Sequence, residues 1–330
     1  MSLGEFDLIK RYFQQSALSG NPIGKNTNVV IGIGDDCAIL DVPDGYQLAV
    51  TTDSLVSGVH FFEDVCAFRL GYKSLAVNLS DLAAMGAEPK WVSLAITLPR
   101  VNEQWLSEFS RGFFELANKH NIILIGGDTT KGPLSITVSA KGIVPRNKAL
   151  LRSGAMLGDF ICVSGTLGDG ALGLASKLEQ VQLTHNDAFL DALELTEPRN
   201  ELGVLLAEYA SSCIDISDGL LQDLGHIVDS SHCGATIQCE KLPLSTAMKQ
   251  EIRNNTITLE QAFKYALTGG DDYELLFTIS KQQYQQLILQ HDTIAITVIG
   301  EIIEHNSPKI HLTNNSEVIS RQFSGWDHFK

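Results

Sequence analysis

The sequence predicts an α/β (α+β) protein of two domains: an N-terminal mixed β-sheet with helices, and a C-terminal α/β domain. Three observations predict it. The chain has 330 residues, too many for one typical core. Period-2 and period-3.6 apolar patterns alternate along it. Apolar residues make up 44 % and charged residues 19 %, with 28 Gly and 9 Pro, which suits a globular chain and not a disordered one.

The elements follow in order. Val29–Ile31 is an apolar run stopped by Gly32. Tyr46, Leu48 and Val50 alternate as a strand that should end at Thr51-Thr52-Asp53. Phe68, Tyr72, Leu75, Leu79 and Leu82 form one helical stripe over about 67–85, with Gly86 as its stop. Trp91–Leu98 reads as a strand. Trp105, Leu106, Phe109, Phe113 and Leu116 mark a second amphipathic helix. Ile122–Ile125 is a buried strand broken by Gly126-Gly127-Asp128, and Leu134, Ile136 and Val138 alternate as another. Lys141, Arg146, Lys148 and Arg152 then cluster around Pro145, and the domain boundary is expected near 148, giving domains 1–148 and 149–330.

Beyond it, Phe160–Ser164 and Cys213–Ile216 read as strands. Leu202, Leu205, Leu206 and Tyr209 mark a helix face. Ser217 is expected to cap a helix carrying Leu220, Leu221, Leu224 and Val228. Thr258 and Gln261 form a capping box, Gly269-Gly270 ends that helix, and Glu274–Ile279 is a strand. Asn314-Asn315 suits a hairpin turn.

Charge excludes whole classes of function. Asp and Glu number 39 against 24 Lys and Arg, a net charge of −15. Nucleic-acid backbones and anionic membrane surfaces repel such a chain. No run approaches the ~18 apolar residues of a membrane span, and MSLGEFDLIKRYF does not read as a secretion signal. The six cysteines contain no C-x-x-C pair, so they read as free thiols in a reducing cytoplasm.

The chemistry lies in the acids. An apolar run followed by Gly or Thr and then Asp recurs at Asp35-Asp36, Asp53, Asp128, Asp169, Asp215 to Asp218, and Asp271-Asp272. Asp81 shares a helix face with Ser74 and Asn78. One such Asp is an ordinary turn residue. All of them at strand ends on one sheet edge would converge, repel, and need cations. Oxygen donors select Mg²⁺, Ca²⁺ or Mn²⁺. Mg²⁺ in particular takes one or two carboxylates plus substrate phosphates, and Arg152 could add a direct phosphate contact. Neither a P-loop nor a twelve-residue calcium loop is present, and Gly32-x-Gly34-x-x-Cys37 is a weak imitation of a dinucleotide fingerprint.

GIGDDCAIL, TTDSLVSGVHF, NLSDLAAMGAEPKW, LIGGDTTKGPLS, RSGA, DISDGLLQDLGHIV, GGDDYELLFT and GWDHF together resemble the bacterial thiamine-monophosphate kinase family over nearly the whole chain. That family shares its architecture with aminoimidazole-ribonucleotide synthetase and selenophosphate synthetase. The resemblance implies ATP-dependent phosphorylation of thiamine phosphate to thiamine diphosphate by direct in-line transfer, in thiamine biosynthesis in the cytoplasm. It implies a homodimer paired through its N-terminal domains, with ATP between the two domains of each chain.

Carried over by motif, Asp36, Thr51, Thr52, Asp53, Asp81, Asp128, Asp215 and Asp218 would hold several Mg²⁺ ions. Gly127, Asp128, Arg152 and Ser217 would contact the nucleotide, and His60, Asp271 and Trp326 the thiamine phosphate. No catalytic group beyond the metal ligands is implied. Asp271 departs from relatives that carry Glu there. Two other readings compete: a sister ATP-dependent synthase, and a non-catalytic divalent-cation-binding protein.

Overall fold

In the computed structural model the described residues are 5–14, 28–291, 295–305, 309–315 and 317–318. They divide into two units, one within Met1–Leu82 and Ala87–Asn147, the other within Ala83–Gly86 and Lys148–Lys330.

The first unit opens with a short helix α1 (Glu5–Leu8), a π turn Ile9–Phe13, and an antiparallel pair, β1 (Val29–Ile31) with β2 (Ile39–Leu40). Then come β3 (Tyr46–Val56), α2 (Ala67–Ala84), β4 (Glu88–Leu98), α3 (Glu103–Lys119), β5 (Ile123–Lys131) and β6 (Ser135–Pro145). The sheet order is β3-β6-β4-β5, antiparallel except between β4 and β5.

The predicted stripe of α2 is its core face, with Leu75, Leu79 and Leu82 fully buried. Two glycines let α2 and α3 cross closely. A Cβ on Gly71 would stand 2.0 Å from the Phe109 carbonyl oxygen, and one on Gly112 would stand 1.9 Å from that of Phe68. The Asn102 side chain caps α3 by accepting from Trp105 N–H at 3.1 Å.

Two strands outrun the sequence expectation. β3 continues through Thr51-Thr52-Asp53 to Val56, and β5 continues through Gly126-Gly127-Asp128 to Lys131. Thr and Asp do not stop a strand whose neighbour keeps pairing: β6 pairs with β3 over its full length, and β4 carries β5 as far as Lys131. Gly127 is needed because a Cβ there would lie 1.7 Å from the Leu94 carbonyl oxygen.

The second unit holds β7 (Phe160–Ser164), α4 (Asp169–Lys177), α5 (Asn186–Glu194), α6 (Asn200–Leu206), β8 (Ser212–Asp215), α7 (Leu220–Ser231) and β9 (Gly234–Gln238). It continues with α8 (Thr246–Arg253), α9 (Leu259–Thr268), β10 (Leu275–Ile279), α10 (Lys281–Gln290), β11 (Ile296–Ile303), β12 (Ile310–Asn314) and β13 (Glu317–Val318). Its sheet runs β13-β12-β9-β11-β7-β10-β8, antiparallel except where β12 meets β9.

Every residue of β10 is buried, so this sheet is covered on both faces and the period-2 signal is lost. Alternate residues sort into two cores. Ile161, Val163, Ile214 and Leu276 pack with Leu220 and Leu224 of α7, whereas Cys162, Cys213 and Phe277 pack with Leu206 of α6 and Leu287 of α10. The capping box of α9 forms as expected, and the turn after β12 carries Asn315 with positive φ. All six cysteines are free thiols.

The α/β (α+β) class and the mixed N-terminal sheet hold. The mostly antiparallel pairing corrects one inference: successive antiparallel strands end at opposite edges, so strand ends alone do not bring all the acids to one edge. The helix after β8 is capped differently too. Its N-cap is Gly219, not Ser217, and the α7 residue Asp223 ties down the start. No helix among the described residues is long and apolar enough to cross a membrane.

Candidate active site

In the first unit, alternation along β3 separates two sets of side chains. Ala49, Thr51, Asp53 and Leu55 share the less exposed face. Thr52 points the other way, and its hydroxyl donates to the Thr51 carbonyl at 2.8 Å. The polar stripe of α2 meets the first set. The Thr51 hydroxyl donates to Asp81 Oδ2, and Asp53 N–H donates to Asn78 Oδ1 at 3.2 Å. Asn78 is fully buried and is itself held by donating to the Ser74 carbonyl at 3.2 Å, four residues back.

The Asp53 carboxyl is pushed up to about 6, first by burial and then by the Asp81 carboxylate. Two acids thus stand together although each disfavours the charge of the other.

The remaining first-unit candidates lie apart from this pair. Asp128 is exposed on β5, opposite Ala95, while Asp53 lies opposite Val138 of β6. Their strands are the two edges of the sheet, three strand spacings or roughly 14 Å apart. Gly127 neighbours Asp128 on β5. Asp36 is exposed after β1, its N–H bound to the Asp35 carboxylate at 2.9 Å. His60 sits in the turn after β3, where its Nδ1 accepts from Val56 N–H at 3.1 Å. Lys141 of the basic cluster is tied into the sheet, donating to Ser93 Oγ at 2.6 Å and the Ser139 carbonyl at 2.9 Å.

In the second unit, two motifs some fifty residues apart are joined along their backbones. Asp271 N–H donates to the Ser217 carbonyl at 3.0 Å, Tyr273 N–H to that of Ile216 at 2.8 Å, and Ile216 N–H to that of Glu274 at 2.9 Å. These bonds continue the β8–β10 ladder past Asp215 into the loops of Ser217-Asp218 and Asp271-Asp272. Gly270 permits the approach, since a Cβ there would lie 2.4 Å from the Ser217 carbonyl oxygen.

Asp223 secures the first loop by accepting from Asp218 N–H at 3.2 Å and Gly219 N–H at 3.1 Å. Burial and the Asp218 carboxylate push it up to about 7. Gln222 donates to Asp218 Oδ2 at 3.0 Å. Asp272 accepts from Gly168 N–H at 2.8 and 3.0 Å, and burial holds its carboxyl well above the usual range. Arg152 is exposed in the segment between β6 and β7, and Ser231 Oγ donates to its carbonyl at 3.4 Å. Trp326 lies outside the described residues.

The structure therefore brings together Thr51 with Asp53 and Asp81, and Asp215 with Ser217, Asp218 and Asp271. Among the described residues, no three His, Cys, Asp or Glu side chains are placed to hold a metal ion. Sequence reasoning singled out Asp272 only as part of the Asp271-Asp272 motif and passed over Asp223, Arg199 and Glu274, whose side chains brace these loops. The available signals were an acid in the first turn of α7 and a charged residue at the mouth of a mostly apolar strand.

Comparison with known proteins gives the following. Family models of AIR synthase related proteins match residues 34–144 with the N-terminal domain and 157–313 with the C-terminal domain. The thiamine-monophosphate kinase of Haemophilus influenzae is 47 % identical over 337 residues, covering 100 % of this chain and 99 % of that protein. The crystal structure of thiamine-monophosphate kinase from Stenotrophomonas maltophilia superposes with a TM-score of 0.83 at 41 % identity, covering 97 % of this chain and 99 % of that one. AaThiL complexed with AMPPCP and TMP superposes with a TM-score of 0.76 at 30 % identity, covering 100 % of this chain and 99 % of that one.

Proposed function

The chain belongs to the thiamine-monophosphate kinase family of the AIR synthase related proteins, and on that premise we propose that it catalyses ATP + thiamine phosphate → ADP + thiamine diphosphate. The observation that carries this reading is the full-length match to a named kinase at 47 % identity. A structural relative that binds an ATP analogue and TMP supports both substrates.

The acids suit this reaction. The acceptor is a phosphate oxygen, largely deprotonated near neutral pH because its second pKa is about 6. No strong general base is required, and transfer proceeds in line. The protein's work is to position two polyanions and offset their repulsion. Mg²⁺ fits the donors present: carboxylates and hydroxyls, all hard oxygen ligands, with two acids crowded at Asp53 and Asp81. A pair of carboxylates, rather than a full protein cage, matches an ion that completes its shell with substrate phosphates and water. Several Mg²⁺ ions, when bound, supply charge neutralisation of the transferring phosphoryl group.

We assign Asp36, Thr51, Thr52, Asp53, Asp81, Asp128, Asp215 and Asp218 to metal. Gly127, Asp128, Arg152 and Ser217 are assigned to nucleotide, and His60, Asp271 and Trp326 to thiamine phosphate. Residues 1–148 form the ATP- and Mg²⁺-binding and dimerisation domain, and residues 149–330 supply the rest of the nucleotide and substrate contacts. A homodimer through the first unit is supported by β3, an eleven-residue edge strand that exposes Leu48 (44 %) and Val50 (59 %). The demand for ATP supports a cytoplasmic location.

The test is to incubate the protein with ATP, Mg²⁺ and thiamine phosphate and to quantify ADP and thiamine diphosphate. Equal amounts of both products are expected. ADP formation only with a different acceptor would replace this reading with a sister synthase.

A further inference from the structure

The loop Gly270–Tyr273 adopts a backbone that its residues do not favour. Asp271 has φ 65° and Tyr273 has φ 50°, both left-handed, and an aromatic residue there is uncommon. Such conformations persist only where the surroundings over-determine them. Three of the ties are the backbone bonds from Asp271 and Tyr273 to Ser217 and Ile216, and the grip of the Asp272 carboxylate on Gly168. The fourth is a side-chain clamp on the next residue, Glu274.

Glu274 is buried, 5 % exposed, and both its carboxylate oxygens are engaged. Arg199, the residue before α6, donates Nη2 to Oε1 at 2.5 Å and Nε to Oε2 at 2.7 Å. Ser164, the last residue of β7, donates its hydroxyl to Oε2 at 2.5 Å and accepts Leu275 N–H at 2.9 Å. The backbone is shaped to receive this carboxylate: Gly165 has φ 52°, and a Cβ on it would stand 1.9 Å from Oε1. The fork also sets a positive charge beside a region holding Asp169, Asp271 and Asp272, where burial first, and then the neighbouring carboxylates, raise Asp272. A two-point guanidinium fork fixes orientation as well as charge, which a lysine would not.

We propose that Arg199, through its fork to Glu274, is a positioning residue that holds the Gly270–Tyr273 loop in its left-handed turn and so sets Asp271 for the phosphorylated acceptor. The functional half of this inference rests on the assignment of Asp271 to thiamine phosphate. The geometric half does not.

Three variants separate the possibilities: Arg199→Met, Arg199→Lys, and the double variant Arg199→Met with Glu274→Gln. The double variant removes the stranded carboxylate charge and recovers most of the thermal stability lost in Arg199→Met. If the fork positions the loop, the KM for thiamine phosphate stays raised about tenfold in the double variant, with kcat and the KM for ATP changing less than threefold. Arg199→Lys falls between wild type and Arg199→Met. Amide exchange at Asp271 and Tyr273 becomes faster in all three variants, whatever acceptor the enzyme uses. Recovery of the KM together with stability in the double variant would show a purely structural ion pair. Unchanged exchange at the two amides would overturn the positioning role itself. Faster exchange with no thiamine phosphate turnover in the wild type would sink only the choice of substrate.

Discussion

In the first unit Asp53 is set against the carboxylate of Asp81, and in the second Glu274 is set against the guanidinium of Arg199. Asp53 and Asp81 sit together with Thr51 and Asn78 as hydrogen-bonding neighbours, and Asp53 is correspondingly reluctant to ionise. Glu274 is more deeply buried yet sits in a guanidinium fork. The difference separates two uses of an acid. On the proposals above, a carboxylate offset by a fixed cation holds a loop in shape, whereas a crowded pair would accept a mobile cation that arrives with substrate.

Replacing Asp53 by Asn should break the first half of this contrast most sharply. Turnover falls at least about a hundred- to a thousandfold, the loss typical of one removed electrostatic stabiliser. Thermal stability stays level or rises, because the neutral amide relieves the repulsion from Asp81. Steady-state kinetics and a melting curve on the same preparation check both. Wild-type kcat at ordinary Mg²⁺ would overturn the metal assignment.

Arg199→Met should behave in the opposite sense, losing about 3 kcal/mol of stability, the low end for breaking a buried pair since Arg199 is itself partly exposed. Urea denaturation measures it. If the two substitutions had equal effects on stability, the contrast between the regions would fail.

Ligand dependence is the next largest effect. Mg²⁺ alone should move the melting temperature by no more than about 1 °C. Mg²⁺ with AMPPCP at about a hundred times its Kd should add about 2.7 kcal/mol, a shift of several degrees. A large shift with metal alone would point to a preformed cation site instead.

The smallest effect sharpens the contrast inside the second unit. Asp169 is bound by hydroxyls, Ser245 at 2.7 Å and Thr166 at 2.9 Å, and burial raises its carboxyl. A raised carboxyl favours the fold when protonated, and that contribution is lost as pH rises through the folded value. Asp169→Asn should therefore gain stability relative to wild type as pH rises from the ordinary carboxylate value of about 4 through the raised folded value. A difference that does not vary with pH would contradict the assignment.

Local rules were legible where local physics governs. The 3.6-residue stripe of α2, the capping box of α9 and the stop near Gly86 each depend on neighbours within one or two turns. The polar face of Ser74, Asn78 and Asp81 was legible too, and it meets β3 at Thr51 and Asp53. The strand ends were not. Thr51-Thr52-Asp53 reads locally as a stop, yet pairing with β6 carries β3 to Val56. Ser217 looks like a cap, yet the loop it occupies is held by Asp271 N–H from a motif far along the chain.

Composition, charge and apolar periodicity determined the class of fold, and the acidic motifs an oxygen-donor chemistry suited to phosphates, because each is a property of residue types and short spacings; the family entered through the resemblance of the long motifs. Tertiary structure alone decided which acids meet, which are matched by arginine, and which lie on opposite faces of a strand. Those outcomes depend on sheet register and on long-range pairs such as Arg199 with Glu274, and no short-range pattern encodes the energy of groups that meet only after the chain has folded.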